Sequence, residues 1–370
     1  MQTTLSIITS FDTWLKAFIL IVPTLYLPGI KQGSLQLMLF HYGTLILFSI
    51  GILKDSQRKF SNPILLLLIS VSILLALTRS GRGFSLTFIN IVFGSLLYYT
   101  IITSAKDAKS YVKYFLVLTW INIALYILQV FGLNLIYSEP ISCGAMAKEK
   151  YLAIFLSFVA PMSTTIPGLF ALLIGGILLL IKSYTALLAF FASLATLCWL
   201  KRKTDKTMLT LGILIVIAIF AAFLVPMLFS NFFYKISTRQ DAWIFTLKES
   251  FQNILLGRGL DSFDNYIATT NVGVTLIAST YSEYLRMMYE FGVIPFLIII
   301  VSAIFYFKQL WIKGREYFTP KIYLASIIAI LISMAFQDTM HVTRLGVLAV
   351  VILALFEVSL IDAQTKGATQ

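Results

Sequence analysis

Two polar stretches hold the residue types best suited to chemistry, STRQDAWIFTLKESFQNILLGRGLDSF at 237–263 and TYSEYLRMMYEFG at 280–292. In the first stretch, Thr238 and Asp241 have the spacing of a capping box, which predicts a helix that starts at Arg239. A guanidinium in the first turn of a helix stands beside unpaired backbone N–H groups, and these donors together suit a phosphate. The first stretch therefore predicts an anion site at Arg239.

The second stretch predicts an amphipathic helix at the entrance to a long apolar run. One face carries Tyr281, Tyr284, Leu285, Met288 and Phe291, and the other carries Ser282, Glu283, Arg286 and Glu290. We expect the apolar face to pack on the rest of the protein and the polar face to line a site. Glu283 is the first candidate for a general base, Glu290 is the second, and Arg286 is a candidate phosphate ligand. The alternative is that these three residues form only helix-surface ion pairs, worth a few tenths of a kcal/mol each.

The composition excludes a soluble globular protein. The chain has 370 residues, of which 59% are hydrophobic and 12% charged, and its mean hydropathy is +0.91. Its apolar runs are long and continuous, and hydrocarbon does not tolerate unpaired backbone polar groups, so the membrane spans must be helices. We expect an all-α, polytopic transmembrane helical bundle that contacts the lipid bilayer and not nucleic acid.

Hydropathy predicts about twelve spans in a single membrane domain that comprises residues 1–370. Their approximate bounds are 12–30, 35–53, 62–78, 84–103, 115–137, 151–165, 167–182, 184–200, 207–228, 291–312, 322–337 and 345–363. Two spans would also fit residues 151–200, but three keep the basic residues at 201–203 on the inner side. Residues 229–290 then form one long periplasmic loop.

Lys and Arg are concentrated in the inner loops of this topology, which predicts a multi-pass protein of the bacterial inner (plasma) membrane with both termini cytoplasmic. No cleavable signal peptide is apparent, so we expect the first span to be retained. Cys143 and Cys198 fall on opposite sides of the membrane and are not expected to pair.

Several cations remain on the outer side, where short loops normally have few. They are Arg79, Arg82, Lys148, Lys150, Lys182 and Arg344. A basic funnel of this kind suits an anionic ligand at the outer leaflet, and a lipid pyrophosphate is the leading candidate. The alternative is that Arg239 only anchors its helix to anionic headgroups or pairs with Asp241.

The order of these features resembles the bacterial O-antigen polymerase (Wzy) and O-antigen ligase superfamily of polyisoprenoid-dependent glycosyltransferases. It is carried by Arg239 with Trp243, then by Gly257-Arg258-Gly259 with Phe263, and then by YSEYLRMMYEFG before a span. In that superfamily an Arg followed by Trp, a Gly-x-Gly and a His-Asn-x-Tyr-Leu helix ending in Glu-x-Gly lie in the large periplasmic loop. The resemblance covers about residues 237–295 and implies that Arg239 acts in catalysis and that Arg258 lies in the binding site.

Two departures from the family pattern favour a polymerase over a ligase. Tyr281 stands where ligases carry the His held to be their general base, so the resemblance makes Tyr281 a substrate-binding candidate. The family's Ser-Arg-Gly-like signature reads Ser183-Tyr184-Thr185 here, with Lys182 as its only cation. His341 is a reserve base on the outer side, although we consider a helix-capping role for it more common.

The resemblance implies a polymerase of lipopolysaccharide O-antigen or another surface polysaccharide. Such an enzyme transfers a growing glycan from undecaprenyl pyrophosphate to the terminal sugar of another lipid-linked repeat unit. The chain has no Asp-x-Asp sequence and no His and carboxylate spacing typical of metal ligands, so we expect no metal and no cofactor. The expected partners are lipid-linked oligosaccharides, a chain-length regulator and a flippase.

Three other functions remain open from the sequence. An O-antigen ligase would transfer the glycan to the lipid A core instead. A polysaccharide flippase or other transporter would also need many spans, but it should have charges around a mid-membrane site and not at one surface. A non-catalytic assembly protein could use the long loop to dock a partner.

Overall fold

The computed structural model describes most of the chain, in thirteen segments. These are residues 11–21, 30–32, 35–37, 39–53, 86–105, 107–132, 149–165, 169–201, 231–263, 266, 280–314, 316–337 and 343–367. They are almost entirely helical, which confirms the all-α class.

Twelve helices and one short hairpin are present among these residues. In chain order they are α1 (Phe11–Ile21), β1 (Ile30–Gln32), β2 (Leu35–Leu37), α2 (Leu39–Leu53), α3 (Leu86–Ser104), α4 (Ala108–Val130), α5 (Glu149–Ser163), α6 (Leu169–Leu180), α7 (Tyr184–Lys201), α8 (Asn231–Gln252), α9 (Glu283–Phe291), α10 (Val293–Gly314), α11 (Phe318–Phe336) and α12 (Thr343–Gly367).

Four of the helices are long and apolar enough to cross a membrane. They are α4, α10, α11 and, in α12, the segment Leu345–Thr365. Shorter apolar helices occur in α2, α3, α6 and α7. The three segments predicted between 151 and 200 are helical, as α5, α6 and α7. The predicted spans at 62–78 and 207–228 lie outside the described residues.

The hairpin corrects the predicted bounds of the first two spans. Residue 30, the predicted end of the first span, begins β1, and residue 35, the predicted start of the second, begins β2. The strands are antiparallel, with Ile30 opposite Leu37 and Gln32 opposite Leu35. Gly33 and Ser34 separate them in the sequence, a two-residue connection that favours a hairpin over a continuous helix.

The core of the bundle is built around α5, α7, α11 and α12. α11 packs against the other three, α5 packs against α7, and α12 also packs against α3. Twelve consecutive residues of α5, from Leu152 to Ser163, are buried, as expected of a helix that is apolar on all sides and central. Large side chains such as Phe155, Tyr323 and Phe356 fill the space between these helices. The bundle thereby provides a rigid support for α9, which contacts α11.

Two buried carboxylates within the bundle have partners that include a tyrosine hydroxyl from another helix. Asp12 in α1 pairs with Lys16 at 2.6 Å and accepts a hydrogen bond from the Tyr111 hydroxyl of α4 at 2.9 Å. Glu357 in α12 accepts a hydrogen bond from the Tyr306 hydroxyl of α10. Charged groups in an apolar interior need such partners, so these contacts also fix which helices are neighbours.

The structure contradicts the predicted start of the helix that carries Arg239. α8 begins at Asn231, so Arg239 lies about two turns inside the helix and not in its first turn. Thr238 and Asp241 therefore do not form an N-terminal capping box. The helix already extends before residue 238, so the backbone amides near Arg239 find their acceptors in the preceding turns and need no side-chain cap. Arg239 therefore does not stand beside the free amides at the start of its own helix.

Candidate functional site

The candidate site lies where α8 packs against α9. Arg239 of α8 lies over the ring of Tyr281, just before α9, and the backbone amide of Ile294 donates to the carbonyl of Ile254 beyond the other end of α9. The two segments therefore run side by side in the same direction. Ala242, Thr246 and Ser250 form the buried side of α8, and their small side chains allow the two helices a close approach.

α9 begins and ends at well-defined caps. Ser282 is the N-cap, and its hydroxyl accepts a 3.5 Å hydrogen bond from the Leu285 amide. Gly292 ends the helix at φ +95°, where its N–H donates to the Met288 carbonyl at 3.0 Å. Glycine adopts this conformation at little cost, so the chain can turn at once from α9 into the span α10.

The turn Gly257-Arg258-Gly259 clamps onto the end of α9. The amides of Arg258 and Gly259 donate to the carbonyls of Tyr289 and Glu290 at 3.0 and 2.9 Å, and so satisfy acceptors that a helix end leaves open. Gly257 has φ +60°, and a Cβ there would overlap the backbone of Glu290 and Gly292. The sequence motif Gly-Arg-Gly is thus a docking turn that fixes α8 to α9.

Arg286 forms a buried ion pair with Glu290. Its Nε lies 3.1 Å from Glu290 Oε1, and both side chains are only 4% exposed. Asp261, which follows the docking turn, lies 3.9 Å from the guanidinium. The polar face of α9 is therefore buried against protein, where the sequence predicted that it would line an open site. Of the ion pairs predicted within α9, the Arg286–Glu290 pair is present, but in the interior and not on the helix surface.

Arg258 is occupied in a different ion pair. Its guanidinium pairs with Glu249 of α8 and lies 3.4 Å from the Gln252 side-chain oxygen. It also lies over the ring of Tyr289, 5.6 Å from the centroid. Because the pair is partly exposed, its contribution to stability is about 0–1 kcal/mol.

Arg239 differs from both of these arginines. It is half-buried, and its guanidinium carbon lies 5.6 Å from the centroid of the Tyr281 ring. Burial lowers the pKa of Arg239 from its usual value, an effect that Tyr281 partly opposes. Within the described residues Arg239 makes no ion pair with a carboxylate. Asp241 is exposed, and residues two apart in a helix do not face each other, so the alternative Arg239–Asp241 pair does not form.

Glu283 is a buried carboxylate that lies two residues after Tyr281, the residue whose ring Arg239 contacts. It lies in the first turn of α9, one residue after the N-cap, and is 6% exposed. Tyr284 beside it donates a 3.0 Å hydrogen bond to the Leu331 carbonyl of α11. Burial, and secondarily the charge of Glu283, raise the pKa of Tyr284 to about 12. Tyr284 therefore remains a neutral donor at physiological pH and attaches α9 to the bundle.

The remaining predicted site residues do not all lie at the contact between α8 and α9. Lys182 is exposed in the turn between α6 and α7, at φ 57°, so it belongs to a different part of the bundle. Arg344 lies in the first turn of α12, but its side chain is outside the described residues. Arg79, Arg82 and His341 lie wholly outside them. The structure brings together Arg239, Arg258, Tyr281, Glu283, Arg286 and Glu290.

Sequence reasoning missed the two carboxylates that neutralise the neighbouring arginines. Glu249 pairs with Arg258, and Asp261 faces Arg286. Neither pair has the three- or four-residue spacing of helix ion pairs. The only signal was the placement of Asp261 two residues after the Gly-Arg-Gly motif. That placement is informative only once the turn is known to fold back on α9.

Comparison with known proteins gives no relative on which to base a function. No protein-family model matches the chain, and no curated protein matches it. Among the described residues, no group of three or more His, Cys, Asp or Glu side chains is placed to hold a metal ion.

Proposed function

We propose that the chain is a surface-polysaccharide polymerase of the Wzy type. It would transfer a growing glycan from undecaprenyl pyrophosphate to the terminal sugar of another lipid-linked repeat unit. The proposal includes about twelve spans, both termini in the cytoplasm, and residues 229–290 as a periplasmic loop. The α8–α9 site would then lie at the outer leaflet of the bacterial inner membrane.

The observation that carries this proposal is the difference between Arg239 and its two neighbours. Arg258 and Arg286 have carboxylate partners, whereas Arg239 is half-buried on an aromatic ring with no described carboxylate. A partly desolvated guanidinium of this kind gains most from an anionic ligand that can accept two parallel hydrogen bonds. A pyrophosphate supplies such oxygens.

The N-terminal end of α9 adds to this arrangement. Tyr281, on which Arg239 stacks, immediately precedes the N-cap Ser282, so Arg239 lies beside the positive end of the α9 dipole. The anion site predicted at the start of the Arg239 helix is thus retained in a different form. The helix terminus comes from α9, and the arginine comes from α8.

The proposed reaction needs an acceptor hydroxyl, a base and a stabilised leaving group. The acceptor oxygen attacks the anomeric carbon, the bond from that carbon to the pyrophosphate breaks, and undecaprenyl pyrophosphate leaves with the electron pair. Arg239 stabilises the developing charge on the diphosphate, and Glu283 accepts the proton of the hydroxyl. Arg239, through its contact with Tyr281, and Glu283 both lie at the N-terminal end of α9, as a reaction at one carbon requires.

Glu290 and Arg286 suit a positioning role better than a direct one. Each is neutralised by the other in a buried pair, so neither charge is available to a substrate without breaking that pair. Among the two candidate bases, Glu283 comes before Glu290 in this proposal, because Glu283 lies at the end of α9 that Arg239 reaches through Tyr281. Arg258, paired with Glu249, would act mainly by holding the docking turn against α8.

The first test is the polysaccharide chain-length profile of cells that carry Arg239→Ala. We expect loss of long chains at unchanged protein abundance, because removing one charge-assisted contact of this kind costs about 3 kcal/mol, or roughly a hundredfold in rate. Arg239→Lys should restore activity only in part, since an ammonium lacks the guanidinium fork. The matched control is Asp241→Asn, an exposed change in the same helix, which should leave the profile normal.

The same experiment separates the polymerase from the other functions. A polymerase defect leaves single repeat units on the lipid A core, whereas a ligase defect leaves long polymers on the lipid carrier. Failure of labelled lipid-linked oligosaccharide to cross the membrane would indicate a transporter. Near-normal long chains with Arg239→Ala would return this residue to the role of a headgroup anchor.

A further inference from the structure

α8 carries an exposed apolar surface that the proposed reaction does not use. On the side of the helix opposite Ala242, Thr246 and Ser250, the exposed residues change from Gln240 and Asp241 near its middle to apolar residues toward its end. The apolar residues are Ile244, Leu247 and Phe251 in the helix and Ile254, Leu255 and Leu256 in the following turn. We call these six residues the apolar stripe.

The apolar stripe consists of six exposed apolar residues, so it differs from the single exposed apolar side chains that are common on protein surfaces. Phe251 is 58% exposed and Leu255 is 66% exposed, and Ile244, Leu247 and Phe251 follow one another at three- and four-residue spacing, which puts them on one side of the helix. Contiguous apolar surface of this kind normally marks contact with a partner or a membrane. Among the side chains of α8 that the structure describes, 239–252, Lys248 is the one cation on this side of the helix. Its long stem can lie along apolar surface while its charge reaches water or headgroups.

The position of the apolar stripe relative to α10 indicates whether a membrane or a protein covers the stripe. The Ile294 amide in the first turn of α10 donates to the Ile254 carbonyl at 3.1 Å, so the stripe joins the start of this membrane-length helix. Only 11% of the apolar window of α10 is buried, compared with 78% for the window in α12. α10 thus lies at the edge of the bundle with its apolar surface facing outward. The stripe continues that surface beyond the end of the span.

We propose that the end of α8 and the turn after it lie in the membrane interface, with the apolar stripe immersed among lipid acyl chains. α8 then descends toward the bilayer over about 16 Å of helix between Gln240 and Phe251. Gln240 and Asp241 remain in water, and Lys248 lies at the headgroup level. An amphipathic helix in this position is held by buried apolar area together with attraction to anionic lipid. The proposal is independent of the sugar chemistry and of the function of Arg239.

Depth measurement in a bilayer tests the proposal directly. The full chain, with Cys143 and Cys198 replaced by Ala, receives a single Cys at Phe251, Leu255, Gln240 or Ile298 and a fluorescent label on that Cys. Each labelled protein is reconstituted into vesicles of phosphatidylcholine and phosphatidylglycerol. Quenching is then measured with doxyl-labelled lipid and, separately, with aqueous iodide. Ile298 on exposed α10 is the control for lipid contact, and Gln240 on the same side of α8 is the control for water.

We expect labels at 251 and 255 to be quenched by doxyl lipid as strongly as the label at 298, and at least about threefold more than the label at 240. Iodide should show the reverse order. Labels at 251 and 255 that iodide reaches as readily as 240 would place the stripe in water and overturn the proposal. Protection from both quenchers would overturn it as well, since it would mean that protein covers the stripe.

Discussion

Arg286 carries a buried positive charge whose neutralisation depends on Glu290 and, at a longer distance, on Asp261. A buried ion pair adds little net stability relative to an apolar pair, because the desolvation of both charges offsets their attraction. Loss of one partner is costly, since it leaves the other charge buried and unpaired. The contact therefore makes α9 sensitive to single substitutions on its polar face.

Single and double substitutions of this pair should differ in the size of their effect on stability. Glu290→Met should lower the free energy of unfolding by about 3–5 kcal/mol, whereas Arg286→Met with Glu290→Met should recover most of that loss. The measurement is thermal unfolding of the purified protein in detergent. The matched control is Glu249→Gln, which removes a partly exposed pair and should cost about 0–1 kcal/mol. Equal losses in the single and double variants would contradict a buried, mutually neutralised pair.

Gly257 shows how one position can hold two structural elements together. The docking turn reaches the carbonyls of Tyr289 and Glu290 only because residue 257 has no Cβ and adopts a positive φ. The relative placement of Arg239 and Glu283 depends on the same α8–α9 contact, so a shift at the turn is transmitted to the site.

Gly257→Ala should therefore reduce both stability and polysaccharide chain length. Strain at the positive φ and overlap with the Glu290 backbone should together cost about 2 kcal/mol or more. Gly176→Ala in α6 is the control, because a Cβ there meets nothing within 4 Å and the helix interior favours Ala by about 0.5–1 kcal/mol. Unfolding temperature and chain-length profile are measured for both variants. A fully stable and active Gly257→Ala protein would show that the docking turn is not needed.

The attachment of α9 to α11 should depend on pH through Tyr284. Its pKa is raised from 10.0 to about 12, so the folded state holds the proton more tightly than the unfolded state. This contribution to stability is complete below pH 10 and is lost as the pH rises toward 12. The unfolding temperature of the wild-type protein should therefore fall more steeply between pH 10 and pH 12 than the unfolding temperature of Tyr284→Phe. Parallel curves for the two proteins would show that Tyr284 does not titrate as this geometry requires.

At the scale of the whole molecule, the proposed location of the site at the outer leaflet depends on the orientation of the chain in the membrane. Charge asymmetry between the loops predicts that reporters fused after Lys203 or Lys313 are cytoplasmic and that one inserted near Thr269 is periplasmic. Alkaline phosphatase and fluorescent-protein fusions, which are active on opposite sides, make the measurement. A cytoplasmic signal near Thr269 would remove the basis for a site at the outer leaflet, whatever the chemistry of Arg239.

The sequence alone determined that the chain is a bundle of apolar helices and where most of those helices lie. Hydropathy and length are local properties, and hydrocarbon requires each spanning segment to satisfy its own backbone, so runs such as 322–337 could be predicted without their neighbours. The same local reasoning misplaced the start of α8 and overlooked the β1–β2 hairpin. At both places, more than one residue could start the helix or form the turn, and a rule based on residue spacing does not determine which of them does.

Only the tertiary structure decided which of three arginines has a carboxylate partner. The sequence predicted an anion site at Arg239 and binding roles for Arg258 and Arg286, but it did not show which of them pairs with a carboxylate. The fold pairs Arg258 with Glu249 and Arg286 with Glu290, and it stacks Arg239 on Tyr281. The electrostatic surroundings of a charge depend on which segments meet in space, and for residues 239 and 281 that meeting is set by the packing of α8 on α9 and not by any spacing along the chain.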